Sequence, residues 1–140
     1  MAEAKIIDID GVQWSIKDQT ARDKITALET KITNLETVEK WETTIPNYGG
    51  KIIARRQGNI IHVSGGDIGR ENPIPETIGD INFATLPERF RPSEACFFMI
   101  RVSGSYQTSY GGMIYPNGNI NCWTYKAIDY GCFSLSYIVD

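Results

Sequence analysis

The sequence predicts an all-β head, an antiparallel β-sandwich or jelly-roll-like knob, preceded by a parallel coiled-coil helix and an N-terminal β-hairpin. Three observations predict it. Apolar residues alternate on either side of Asp10-Gly11, they fall at 3-4-3 spacing between Lys24 and Glu36, and from Trp41 onward they return to a period of two between recurring turn residues. A chain of 140 residues has room for one domain of about 100 residues plus an appendage. The expected divisions are a hairpin over residues 1–17, a neck over 18–41 and a head over 42–140.

In the hairpin, Ile7 and Ile9 alternate with polar residues, Asp10-Gly11 suits a tight turn, and Val12, Trp14 and Ile16 alternate on the return. A lone two-stranded hairpin is marginal in water, so its apolar face needs a docking surface or a neighbouring chain.

Asp18 stands where a helix N-cap belongs, its carboxylate placed to accept from the backbone N–H of Ala21. The helix is expected from about residue 19 to 40, roughly 33 Å at 1.5 Å per residue, with Thr43, Thr44 and Pro46 beyond its end. Ile25 and Ile32 take the a positions of two heptads and Leu28 and Leu35 the d positions, with Ala21 extending the d series backwards. Lys24 and Lys31 fall at g, and Glu29 and Glu36 at e. In a parallel assembly of identical chains each g lysine faces an e glutamate of its neighbour; an antiparallel pair would set lysine against lysine. The pattern therefore describes a parallel homo-oligomer, while Ile at a with Leu at d is the combination that favours two strands. Burying the four aliphatic side chains contributes roughly 6–12 kcal/mol per chain, and fixing some twenty backbones costs about 1–2 kcal/mol each. Such a neck needs ordered domains at its ends.

Strands are expected near Lys51 to Arg56, Ile60 to Ser64, Ala95 to Ser103, Gly112 to Tyr115, Ile120 to Tyr125 and Phe133 to Val139, with Asn117-Gly118 as a hairpin turn. The stretch from Gly65 to Asp80, rich in Gly, Pro, Asn and acids, reads as a long excursion.

Composition narrows the functions. A net charge of -3 argues against a nucleic-acid partner, and the one basic doublet, Arg55-Arg56, reads as solvated strand edge. No apolar run reaches the ~20 residues of a membrane span, so no membrane insertion is expected, and Met1-Ala2-Glu3-Ala4-Lys5 lacks a secretory pattern. Cys96, Cys122 and Cys132 contain no Cys-x-x-Cys pair, which supports neither a zinc site nor a disulfide set; Cys96 and Cys122 lie in apolar runs and read as buried thiols. Synthesis in a reducing cytoplasm fits them.

The segment Ile9-Asp10-Gly11-Val12-Gln13-Trp14-Ser15-Ile16-Lys17-Asp18-Gln19-Thr20-Ala21-Arg22 resembles the opening of small tail-fibre and baseplate proteins of phages that infect Gram-positive bacteria. Gln57-Gly58-Asn59-Ile60-Ile61-His62-Val63, Leu86-Pro87-Glu88-Arg89-Phe90-Arg91-Pro92 and Tyr115-Pro116-Asn117-Gly118-Asn119-Ile120 resemble features of their head domains, in the same order. The resemblance implies a homotrimer on the virion, docked to other tail or baseplate proteins by its N-terminal segment, whose knob binds a bacterial surface glycan or protein. It implies no catalytic residues, no metal and no cofactor.

Titratable groups for chemistry are few. His62, the only histidine, reads as structural within an apolar strand. Asp67, Glu71, Glu76 and Asp80 could include the carboxylate pair of a glycosidase, which makes a cell-wall glycan hydrolase the third reading after a receptor binder and a virion connector. The stronger signal is aromatic: Tyr106, Tyr110, Tyr115, Trp123, Tyr125 and Tyr130 crowd the C-terminal part beside Gly, Ser, Thr and Asn. Aromatic faces take the C–H patches of sugars or give contact area to proteins at low entropic cost. If Ile120 faces the core, alternation places Cys122 with it and turns Trp123 and Tyr125 outward, leaving core, interface and ligand contact all open for these aromatics.

One expectation follows for the neck. Ile25→Asn with Ile32→Asn puts amides into the stripe, and circular dichroism at fixed concentration should show the oligomer melting at lower temperature. An unchanged melting temperature contradicts the heptad assignment.

Overall fold

Alternating residues at the N-terminus pair as an antiparallel ladder in the computed structural model, which describes residues 5–9, 12–16, 18–76, 80–102, 109–124 and 127–139. Strand β1 (Lys5–Ile9) runs against β2 (Val12–Ile16), from Lys5 opposite Ile16 to Ile9 opposite Val12. The expected turn, Asp10-Gly11, lies outside the described residues. Helix α1 (Gln19–Glu36) follows, and the Asp18 carboxylate accepts from Ala21 N–H at 3.0 Å as the N-cap.

The helix stops at Glu36, four residues before its expected end, with Thr37 as C-cap. The stripe runs out there: the next a and d positions are Glu39 and Glu42. Residues 38–44 have a period of two instead and form β3 (Val38–Thr44), with Trp41 half-buried against the β core. The chain accordingly divides into two units, Met1–Thr37 and Val38–Asp140. Along α1, Ala21 and Ile25 are half-buried, whereas Leu28, Ile32 and Leu35 are 57%, 53% and 60% exposed. Lys24, Glu29, Lys31 and Glu36 are exposed beside them.

The second unit is all-β. Strands β4 (Lys51–Gln57), β5 (Ile60–Ile68), β6 (Ile81–Thr85), β7 (Cys96–Val102), β8 (Ser109–Ile114), β9 (Asn119–Cys122) and β10 (Gly131–Ile138) join β3 in one eight-stranded antiparallel sheet. Its order is β3-β4-β5-β10-β7-β8-β9-β6. The all-β architecture is as expected, with the strands in one sheet rather than the two of a sandwich. Strand β10 pairs with β5 along its length but with β7 only at Gly131↔Val102 and Cys132↔Arg101. Two four-stranded halves thus share one short seam, and the sheet closes into a nearly barrel-like form around a single core. Phe98 of one half stacks on Phe133 of the other, ring centroids 4.2 Å apart.

Inward positions follow the alternation: Ile52 and Ala54 on β4, Ile61 and Val63 on β5, Ile100 on β7, Ile114 on β8, Ile120 and Cys122 on β9 are all 0% exposed. The turn between β8 and β9 is Tyr115-Pro116-Asn117-Gly118, closed by Gly118 N–H to Tyr115 C=O at 2.8 Å. Gly118 has φ +91°, a conformation costly for residues with a Cβ.

The Leu-Pro-x-x-Phe-Arg-Pro segment plugs the core. Leu86 and Phe90 are fully buried around a 3-10 turn, Glu88–Phe90. The carbonyls of this tight turn are satisfied from outside it: Arg91 Nε donates to Leu86 at 2.9 Å, Arg56 Nη1 to Arg89 at 2.7 Å, and the Tyr137 hydroxyl to Phe90. Arg55 is exposed as expected, but Arg56 is half-buried and structural and β4 lies inside the sheet, which corrects the reading of Arg56 as solvated and of the strand as an edge.

The excursion after β5 is shorter than expected. Strand β5 runs on to Ile68, and buried Ile74 and Ile128 exchange two backbone hydrogen bonds of 2.9 Å. The Thr124 hydroxyl donates to Pro75 C=O at 2.9 Å. Strand β6 begins directly after the segment and pairs with β9, where no strand was expected. The three cysteines are free: Cys122 is buried, Cys96 half-buried and Cys132 exposed.

Burial, with the Asp80 carboxylate adding to it, pushes the Cys122 thiol from 9.0 up to about 12, and burial raises the Tyr137 hydroxyl too. Groups that hold their protons longer when folded stabilise the fold fully below the unfolded pKa, and the stability is lost as pH climbs toward the folded one. The urea midpoint should therefore hold steady up to about pH 9 and fall above it. Cys122→Ala should flatten part of that fall, and an equally steep fall in the variant would contradict the assignment.

Candidate recognition surfaces

Chain connectivity fixes which end of the β unit is which. Val38 is the first residue of β3, and Thr44 at the other end of β3, Lys51 at the start of β4 and Gly66 toward the end of β5 share the end of these strands opposite Val38. They form one row, Thr44 opposite Lys51 and Lys51 opposite Gly66. A groove of about 720 Å³ opens there, lined by Thr44, Lys51, Ile53, Ser64, Asp67 and Arg70 among others.

Local sequence explains its walls. Lys51, Ile53, Ser64 and Gly66 take the outward phase of strands whose inward phase is Ile52, Ala54 and Val63. Ile53 supplies an apolar floor and its neighbours a polar rim. Asp67 adopts φ +56°, a left-handed conformation that Asp tolerates better than most residues. Its carboxylate meets Arg70 Nη1 at 3.5 Å. Interaction with this carboxylate favours the neutral phenol of Tyr130 and raises its pKa above the ordinary 10.0. Glu71 completes the wall, and Asn72 Nδ2, donating to Asn47 C=O at 2.8 Å, ties this loop to the β3–β4 turn.

The groove thus presents two cationic donors, Lys51 and Arg70, two carboxylates, Asp67 and Glu71, and the hydroxyls of Thr44 and Ser64 above an aliphatic floor. That mixture suits a polyhydroxylated ligand, whose hydroxyls both donate and accept while its C–H face lies on carbon.

A second surface lies on the outer face of β7, β8 and β9. Trp123 lies across Gly111, where a Cβ would come within 2.5 Å of the indole. The indole reaches Phe97, ring centroids 6.1 Å apart at 41°. Phe97 and Met99 are 54% and 50% exposed. Beside them, in register, Asn121 Oδ1 accepts from Asn82 Nδ2 at 2.8 Å, Asn121 Nδ2 donates to Asp80 Oδ2 at 3.2 Å, and Asn119 Oδ1 accepts from Thr85 Oγ1 at 2.9 Å.

Of the six aromatics singled out in the sequence, Tyr130 is exposed and interacts with Asp67 of the groove, and Trp123 lies on this second face. Tyr115 is half-buried at the β8–β9 turn, and Tyr106 and Tyr125 lie outside the described residues. Tyr110 is 4% exposed and faces the core beside Ile100, so its side chain packs inside the β unit rather than on a surface. Phe97, Met99, Lys51, Ser64 and Arg70 were not singled out, because an outward phase shows only once a strand's inward neighbours are known.

His62 is half-buried on the outer face. Its Nδ1 stands 2.9 Å from Ser136 Oγ and its Nε2 3.4 Å from Ser134 Oγ. Among the described residues no carboxylate bonds this imidazole, so the pair lacks the orienting acid of a nucleophilic triad. No group of three or more metal-ligating side chains occurs among the described residues, and no described helix is long and apolar enough to cross a membrane.

No protein-family model matches this chain, and no curated protein matches its sequence.

The Tyr130–Asp67 contact has a spectroscopic signature. In Asp67→Asn the charge that favours the neutral phenol is gone, so the Tyr130 titration should move to lower pH, read as tyrosinate absorbance against a Tyr130→Phe control. An unmoved titration would place Tyr130 away from Asp67.

Proposed function

We propose that the chain is a phage tail-fibre-like receptor-binding protein: a parallel homotrimer whose α1 helices form a coiled-coil neck, whose N-terminal hairpin docks to other virion tail or baseplate proteins, and whose β units bind a bacterial surface glycan or protein. The observation that carries the reading is the placement of the polar groove at the end of the β unit farthest along the strands from Val38. A parallel neck would gather Val38 of each copy at one point and leave the grooves at the opposite end, where a cell surface would be met.

The exposed stripe of Leu28, Ile32 and Leu35 supports the association. Lys24 and Lys31 on one side and Glu29 and Glu36 on the other support its parallel sense. Weak single sites would suffice, because three linked sites on a repeating polymer raise avidity by roughly 10² to 10⁴ over one site. In this reading the protein needs no cofactor and is not an enzyme. It is made in the host cytoplasm and acts on the virion.

A second reading is a virion connector whose β unit meets another structural protein and has no host ligand. The apolar face of Phe97, Met99 and Trp123 favours it, since a contiguous exposed apolar patch marks a protein interface more often than a sugar site.

Gly66 separates the two. A Cβ there would meet nothing within 4 Å, so Gly66→Trp can fill the groove without displacing the sheet. The full chain is expected to bind isolated Gram-positive cell-wall polysaccharide or whole envelope, and Gly66→Trp to lose at least tenfold in apparent affinity with an unchanged circular dichroism spectrum. Equal binding by both proteins rules out the groove, and no binding by the wild type to any envelope fraction rules out the receptor reading.

A further inference from the structure

Outward-facing aliphatic residues scattered singly over a surface need no explanation, but three of them here are not scattered. Val38 opens β3, Ile60 opens β5 and Ile138 ends β10, and they are 52%, 53% and 66% exposed. The register places them in one row across four adjacent strands: Val38 opposite Gln57, Gln57 opposite Ile60, and Ile60 opposite Ile138. All three take the outward phase, since Trp41, Ile61 and Tyr137 on the same strands pack on the core. The next outward row along the strands is polar throughout, Lys40 opposite Arg55, Arg55 opposite His62 and His62 opposite Ser136. In it Lys40 pairs with Glu42 of its own strand at 2.6 Å. The apolar strip is therefore one residue deep and confined to the end of the sheet where the helix joins.

We propose that Val38, Ile60 and Ile138 form a contact between copies of this chain, extending onto the β unit the self-association proposed above for the helix; the inference rests on that association. The argument is one of chain reach. Leu35, the last residue of the exposed stripe, is three residues before Val38, and three residues span at most about 11 Å. In a parallel assembly equal positions meet at equal heights, so Leu35 of each copy sits beside its counterparts. Every copy's Val38 is then tethered close to the shared axis, and the strip begins where the copies converge. An antiparallel or unassociated arrangement imposes no such convergence.

Size decides what the strip can do. Three half-exposed aliphatic side chains offer only a few hundred Å² per copy, below the ~800 Å² per partner of a stable interface. The strip cannot hold copies together unaided. It adds to a neck that is itself too short to stand alone, and the polar row beside it limits how far the β units close on one another.

The test uses the full chain. Ile60→Ser with Ile138→Ser should leave the circular dichroism spectrum unchanged and raise the protein concentration at which the oligomer dissociates by tenfold or more in sedimentation runs across a dilution series. A second readout does not depend on stability: Ile60→Cys, in a Cys132→Ser background, should be joined between copies by a short bis-maleimide. An oligomer that dissociates at the wild-type concentration in the double serine variant, or single chains only after cross-linking, overturns the strip while leaving the neck standing. A wild-type chain that sediments as a monomer at every concentration overturns both.

Discussion

An aliphatic stripe on a helix has to be covered, and this requirement governs the N-terminal unit. The interior threonines of helix α1 donate back to carbonyls one turn earlier, Thr30 to Thr26 at 2.9 Å and Thr33 to Glu29 at 3.0 Å, an arrangement that does not favour a straight, stable helix. Isolated helices of this length are marginal in water and take their stability from the apolar face they bury. With Leu28, Ile32 and Leu35 more than half exposed, the cover proposed here is the same stripe on other copies. The flanking lysines and glutamates then select the parallel sense.

The β unit solves a different problem, closing a sheet whose two halves share only two residue pairs. Side chains from within and far outside the turn that plugs the core do this by satisfying its carbonyls. Arg56, Arg91 and Tyr137 each spend a donor on a carbonyl of the Leu86–Arg91 segment, and Arg89 reaches Glu39 on β3 at 3.0 Å. This end of the unit, next to Val38, is therefore tied down by polar contacts. At the other end Lys51, Asp67, Arg70 and Glu71 remain arranged around open space. The β unit thus has one end tied by polar contacts and, at the opposite end of the same strands, a chemically varied groove.

Much of this architecture was legible in local sequence. Asp18 caps the helix as its position predicts, the strands begun at Lys51, Ile60 and Cys96 follow period two, and Tyr115-Pro116-Asn117-Gly118 turns where Asn-Gly is expected to turn. The alternation argument from Ile120 also holds, since Cys122 is buried with it and Trp123 faces outward. What was hidden depended on partners far away in the chain. Strand β3 continues directly from the helix with residues common in either state, and only its pairing with β4 makes it a strand. Strand β6 follows the segment that reads as loop and gains its identity from pairing with β9. Arg56 looks like surface charge until the Arg89 carbonyl beside it is known. The groove was out of reach for the same reason: Thr44, Lys51, Ser64 and Arg70 belong to three strands and a loop, and their adjacency is a property of register.

The most direct test of the account is the mass of the intact chain in solution by sedimentation equilibrium. The account predicts three times the single-chain mass of 15.7 kDa. A mass of one chain, held up to the highest concentrations reached, would contradict it.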